Sequence, residues 1–132
     1  MNSKELFVRD TTVIKKSDNL FTAEVSDNWS IGNTANGGYS MTLAAKAMSE
    51  FLEHKDPLSI SAHYLDRVDF GATELHVTHL SSSKSLSTAR VELIQNNKIK
   101  IIFIGTFTDF SFKNDLNIYE RNVPSFPDYE SC

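Results

Sequence analysis

The sequence predicts an α+β fold in which one long helix is wrapped by a curved antiparallel sheet. Three observations carry that expectation. A single helical apolar stripe runs through residues 37–54. Four consecutive stretches after it alternate apolar and polar side chains as strands do. Asn96-Asn97 joins the last two of them, a pair suited to a tight hairpin because Asn tolerates positive φ.

Taken in order, "TVIKKSDNLFTAEVS" reads as two short strands about a polar turn at Ser17-Asp18-Asn19. "DNWSIGNTANGG" follows as a polar, glycine-bearing loop that holds the only tryptophan, Trp29. In the helix, Met41, Ala44, Ala45, Met48, Phe51 and Leu52 share one stripe, and Thr42, Lys46, Ser49, Glu50 and Glu53 lie opposite. Tyr39, Leu43 and Ala47 widen the apolar surface, so the helix should touch protein on more than one side. The strand "LSISAHYLDRV" places Leu58, Ile60, Ala62 and Tyr64 on one face and Ser59, Ser61, His63 and Leu65 on the other. "TELHVTHLSS" comes next, after a turn at Asp69-Phe70-Gly71.

"KSLSTARVELIQ" and "KIKIIFIGTFTDF" then form the hairpin. A plain two-residue turn sets Val91 opposite Ile102 and Ala89 opposite Ile104 on one face. Arg90 would face Phe103, and Glu92 would face Ile101, on the other. With a single helix to bury, the sheet must curl around it, the geometry called a hotdog. Residues 1–112 form that domain, and 113–132, with Pro124 and Pro127 and no periodicity, read as a linker-like tail.

The composition narrows the function. At 132 residues, 40% hydrophobic and 23% charged, the chain suits one soluble domain. A net charge of −4 without a basic cluster points away from nucleic acid. The single cysteine, Cys132, allows no internal disulfide and no CxxC metal cluster. No apolar run reaches the roughly 18 residues of a membrane span, and "MNSKELFVRD" lacks a signal-peptide core, so a cytoplasmic protein is expected. His76 and His79, three apart, fall on opposite strand faces, and His54 stands where a helix C-terminus favours a cation. No metal and no cofactor is expected.

Chemistry concentrates at Asn36-Gly37-Gly38, directly before the helix. Unpaired N–H groups at a helix start can stabilise the oxyanion of a thioester tetrahedral intermediate, and two glycines remove side chains that would hold a substrate away. A plain turn capped by Asn36 or Thr34 is the rival reading. His63, sharing a face with Ser59 and Ser61, suits a general base or oxyanion donor, or a structural histidine. Arg67, Lys84 and Arg90 suit phosphates of a nucleotide-bearing ligand; solvated cations, or for Arg90 a cross-strand pair, are the rivals. No G-x-S-x-G elbow surrounds the serines at 81–87, and no carboxylate lies within 36–48.

Three blocks in order, "NGGYSMTLAAKAM", "DPLSISAHYLDRVDFG" and "KSLSTARVELIQNNK", with "FIGTF" after them, span about residues 20–110. This set resembles the N-terminal hotdog domain of the acyl-CoA thioesterase family, the group that includes acyl-CoA thioesterase II. Gly37, Gly38, His63, Ser85, Ser87 and Arg90 fall on matching positions. Asp66-Arg67 stands where the family usually has Arg-Pro, and Asn36 where it has His or Phe. Family members commonly carry a second hotdog domain with the main catalytic polar residues. Here the proline-bearing tail stands where that domain would begin.

The resemblance implies hydrolysis of an acyl-CoA, or a related acyl thioester, to free acid and CoA. The candidate set is Asn36 and His63 as catalytic residues and Gly37 and Gly38 as oxyanion donors. Tyr39, Ser61, Arg67, Lys84, Ser85, Ser87 and Arg90 are the candidate substrate contacts. The alternative is a non-catalytic acyl-CoA-binding or dimerisation half; a hotdog dehydratase ranks third, since no His–acid pair can be placed at the helix. Because hotdog domains form their acyl tunnel in pairs, a homodimer or higher homo-oligomer is expected. A strand face carrying Ile99, Ile101 and Phe103, too apolar for open solvent, points the same way.

Overall fold

The computed structural model describes residues 2–112, 120–122 and 124–131. A helix not anticipated from periodicity, α1 (Ser3–Asp10), opens the chain. It starts with a capping box: Asn2 Oδ1 accepts from Glu5 N at 2.9 Å, and Glu5 Oε2 accepts from Asn2 N at 3.0 Å. β1 (Ile14–Lys15) and β2 (Leu20–Val25) follow as expected, then a 3-10 turn at Asp27–Trp29. The loop before the long helix contains a small ladder, β3 (Ser30–Ile31) with β4 (Thr34–Ala35). α2 (Gly37–Phe51), β5 (Asp56–Tyr64), β6 (Gly71–Ser82), β7 (Ser87–Gln95) and β8 (Lys98–Thr108) complete the domain.

Six strands form one antiparallel sheet in the order β1-β2-β6-β7-β8-β5, with α2 laid across its inner face. The buried side of α2 is Tyr39, Ser40, Leu43, Ala44, Ala47 and Met48. The apolar side is therefore centred nearer Leu43 and Ala47 than the stripe through Met41 and Ala45, both of which are only partly buried. The helix also stops at Phe51, where Leu52 N still bonds Met48 O at 2.8 Å, so His54 lies beyond it. Phe21, Leu75, Val77, Val91, Leu93, Ile101, Phe103 and Phe107 supply the sheet's side of the core. Each such side chain removed from water contributes about 1.5–3 kcal/mol. Gly105 is the point of closest passage: a Cβ there would strike the Met48 sulfur of α2.

The β7–β8 turn is as expected, with positive φ of 51° at Asn96 and 59° at Asn97. The register beyond it is not. A bulge between Leu93 and Ile94 leaves Lys100 unpaired on β8, so Val91 faces Phe103 and Glu92 faces Ile102. One extra residue turns every later side chain to the other face. The bulge has a cause in the neighbouring corner. Lys100 O accepts from Leu65 N and Asp66 N at 2.9 and 3.0 Å, and its buried ammonium reaches Asp66. Ile101 and Phe103 are consequently fully buried under α2 and lend no support to a partner on that face. Ile102 and Ile104 take the outer face instead.

The linker-like tail expected over 113–132 lies partly outside the described residues. Its described part, 120–122 and 124–131, is exposed and ends in a 3-10 turn at Tyr129–Ser131.

The bulge makes a direct prediction about β8. Phe103→Ala should cost about 3–5 kcal/mol in denaturant unfolding, whereas Ile104→Ala should cost under about 1.5. The reverse order would restore the register of a plain turn.

Candidate functional site

Loop 26–36 delivers the chain to α2 through three backbone bonds: Asn36 N to Trp29 O (2.8 Å), Ala35 N to Val68 O (3.1 Å) and Ser40 N to Asn36 O (3.0 Å). Asn36 is the N-cap. Its Oδ1 accepts from Gly38 N at 2.8 Å and from Tyr39 N at 3.4 Å. Of the two glycine amides expected to face a ligand, Gly38's is thus already paired. Gly37 N–H has no acceptor among the described residues.

Both glycines have local causes. A Cβ on Gly37 would lie 2.9 Å from the Tyr64 hydroxyl and 3.0 Å from the ring carbons beside it. That hydroxyl donates to Gly37 O at 3.1 Å. A Cβ on Gly38 would crowd the Asn36 cap oxygen at 3.2 Å. Close approach is the right principle, but the approaching groups belong to the protein.

Beside Gly37 lies a cleft of about 400 Å³, lined by Thr34, Ala35, Gly37, Ser40, Tyr64, residues 65–68 and Ile101. On the other flank of the same helix turn, a second of about 390 Å³ is lined by Phe7, Asn28, Trp29, Ser30, Asn36, Gly38, Tyr39 and Thr42. Arg67 lies at the first cleft, exposed and without an ion pair among the described residues. Its neighbour Asp66 is engaged: Oδ2 takes Lys98 at 2.8 Å and Lys100 at 3.2 Å, while Oδ1 accepts from Arg67 N at 2.8 Å. Lys98, then the Arg67 amide and Lys100, hold this carboxyl far below the usual carboxylate range. Asp66 therefore staples the corner and is too weak a base for proton abstraction near neutrality.

The other expected site residues disperse. Tyr39 is a core residue: its hydroxyl donates to Asp10 O at 2.7 Å and accepts from Ser26 N at 3.0 Å, and burial raises its pKa. The same Asp10 receives Asn28 Nδ2 (2.8 Å) and Trp29 Nε1 (3.1 Å) on its carboxylate. Burial pushes the Asp10 carboxyl up, but hydrogen bonds from Asn28, Arg9, Ser26 and Trp29 outweigh it and hold the pKa low. With Phe7 edge-on to Trp29 at 4.9 Å, this cluster docks α1. His63 and Ser61 oppose Ile102 and Ile104, on the sheet face turned away from α2. His63 is thus separated from Asn36 and Gly37 by the sheet itself. Arg90 is on that outer face too, paired with Glu92 at 3.0 Å.

Lys84, Ser85 and Ser87 gather at the opposite end of α2. There His54, which the sequence offered only as a helix-end cation, is buried. Its Nε2 donates to Lys84 O at 3.2 Å, and Nδ1 meets the fully buried Ser87 hydroxyl at 2.5 Å. Thr108 Oγ1 donates to Ser85 O at 2.9 Å. Within one chain, the structure brings Gly37 and Arg67 to one cleft, with Asn36 at the flank. It does not bring the Lys84–Ser87 group there.

Residues 25–109 match the family described as acyl-CoA thioesterase N-terminal domain. The chain belongs to that family. Solved structures agree on the fold, which is a hotdog. The tesB protein of Mycobacterium avium subsp. paratuberculosis superposes with a TM-score of 0.80 at 20% identity, covering 98% of this chain and 50% of that one. A hotdog-fold protein from Alicyclobacillus acidocaldarius gives 0.81 at 12% identity, covering 96% and 47%. Zebrafish thioesterase superfamily member 2 gives 0.64 at 18% identity, covering 73% and 78%. No curated protein sequence matches. The chain spans about half the length of the first two structures.

The corner beside the first cleft should carry a pH signature. A carboxyl held low in the folded state stabilises above its unfolded pKa of about 3.9 and loses that contribution as pH falls through the folded value. Asp66→Asn should therefore melt below wild type at neutral pH, with the gap closing progressively below about pH 4. Melting temperatures from pH 7 to pH 2 check this; a gap independent of pH would contradict it.

Proposed function

We propose that this chain binds an acyl-CoA and hydrolyses its thioester to free acid and CoA. The observation that carries the reading is the cleft beside Gly37 in a thioesterase-family domain: it combines a helix-start N–H and an arginine that have no partner among the described residues. No helix among the described residues is long and apolar enough to cross a membrane. A cytoplasmic setting is part of the proposal and rests on a chain with one cysteine.

In this reading the thioester carbonyl oxygen faces Gly37 N–H, at the positive end of α2. Water attacks the carbonyl carbon, and the amide stabilises the negative charge that develops on oxygen. Collapse of the intermediate breaks the C–S bond; the thiolate takes up the proton that water released. Asn36 spends Oδ1 on the cap, which leaves its Nδ2 as a donor able to hold the water or the carbonyl. Arg67 meets phosphate groups of the CoA moiety.

A homodimer completes the site. At ~1.5 Å per residue, the two ends of α2 stand roughly 20 Å apart, so Lys84 and Ser85 of one chain cannot serve its own cleft. An isologous pair with antiparallel helices brings each copy's Lys84–Ser87 turn toward the other's Gly37. β5 provides the edge for that pairing, since among the described residues β8 is its only neighbour in the sheet and most of its residues are exposed. Light scattering at micromolar concentration should give a mass near twice the chain's 14.8 kDa, and a monomer would remove this element.

The second reading, an acyl-CoA-binding half without turnover, is favoured by one observation. The carboxylate lining the cleft, Asp66, is held by two lysines and is too weak a base. Thiol release from short- to long-chain acyl-CoAs, using Cys132→Ser so that no protein thiol reports, separates the two. Release above the blank, reduced more than about tenfold by Asn36→Ala in a variant that keeps its fold, supports hydrolysis. Because the cap itself is worth about 1 kcal/mol, the comparison belongs well below the variant's melting temperature. Tight acyl-CoA binding without release selects the binding half.

A further inference from the structure

A side chain of this protein, Tyr64, stands directly against Gly37 in the cleft where the acyl-thioester reading places its substrate. Tyr64 is the last residue of β5 and pairs with buried Ile101, so its ring lies on the helix side of the sheet. The three atoms nearest to a Cβ built on Gly37 all belong to the Tyr64 phenol. The residue is nevertheless 54% exposed and lines the cleft of about 400 Å³. Among the described residues its hydroxyl makes one hydrogen bond, to Gly37 O at 3.1 Å.

We propose that Tyr64 is the gate of this cleft: closed over Gly37 without ligand, and swung off its backbone when an acyl group enters. The proposal rests on the acyl-thioester reading and deepens it by naming the residue that controls entry. Gly37 follows from it as a requirement, because any side chain there would prop the phenol away and leave the gate open. The hydroxyl, exposed when closed, exchanges Gly37 O for water on opening at small net cost. Gating of this kind acts on substrate affinity, since the closed state must be displaced before binding and the apparent affinity falls with the fraction that is open.

Tyr64→Phe keeps the ring and removes the tie; Tyr64→Ala removes the gate. The probes are octanoyl-CoA for turnover and its non-hydrolysable thioether analogue for calorimetric binding, with the full chain and Cys132→Ser as background. Tyr64→Phe should lower both KM and the analogue's Kd by about fivefold, Tyr64→Ala by at least as much, with the larger share of the change in KM rather than kcat. Were Tyr64 only a structural prop or a substrate contact, both variants would bind more weakly, and that result overturns the gate. If wild type turns nothing over but the analogue binds tighter to Tyr64→Phe, the gate stands and hydrolysis falls. Turnover with KM and Kd unchanged in both variants leaves hydrolysis standing and removes the gate. An analogue that binds to none of the three proteins removes both.

Discussion

The contact between the small-residue side of α2 and the inner face of the sheet is the constraint to which the other elements answer. Ala44 and Ala47 are fully buried, and their small side chains let the helix backbone come close to the sheet. Glycine at 105 lets β8 pass under Met48 at the tightest point. A 15-residue helix is marginal in isolation, so its stability comes from this packing. One helix has to cover strands β2, β5, β6, β7 and β8, all of which touch it. A flat sheet of that width would leave its margins wet, and the right-handed twist of strands supplies the curl that closes them.

The elements legible in the sequence were those whose cause is local. The alternation in β5 to β8 and the 3.6-residue repeat of α2 are properties of neighbouring residues, and both survive in the structure. The asparagine turn is local as well, and its positive φ values are present. What escaped has its cause elsewhere in the chain. The bulge at Lys100 exists because residues 65 and 66, some 35 positions earlier, take its carbonyl. α1 is short and largely polar, and it is held by Asp10 reaching Asn28 and Trp29. A capping box at Asn2 and Glu5 was there to be read, but a cap marks a start and does not by itself predict a docked helix.

The candidate site divides in the same way. Gly37 and Arg67 were legible because a glycine before a helix and an arginine after a strand are informative in place, and they do meet at one cleft. Tyr64 was read only as one of four residues on a strand face, since nothing local ties it to Gly37, which lies 27 residues away. Tyr39 and Ser87 show the converse. Their positions fit a pattern, but both are buried and bonded within the protein. A motif position marks that a residue type is needed there without saying whether the need is chemical or structural.

The two ends of α2 make that distinction concrete. At the C-terminal end polar groups are consumed internally: His54 is bonded on both nitrogens, Ser87 is shared among His54, Ser82 and Glu53, and Lys55 Nζ bonds Ser49 O at 2.8 Å. Buried polar groups that are fully paired rigidify the place they occupy. The N-terminal end keeps a reserve, namely the Gly37 amide, the Arg67 guanidinium and a half-exposed phenol held by one bond. Stability concentrated at one end lets the other remain incompletely satisfied without unfolding the helix, which is how proteins commonly arrange rigid scaffold and adaptable site. The Gly37 amide is held in place by the helix start that Asn36 caps, so this donor needs little further ordering once Tyr64 has moved aside.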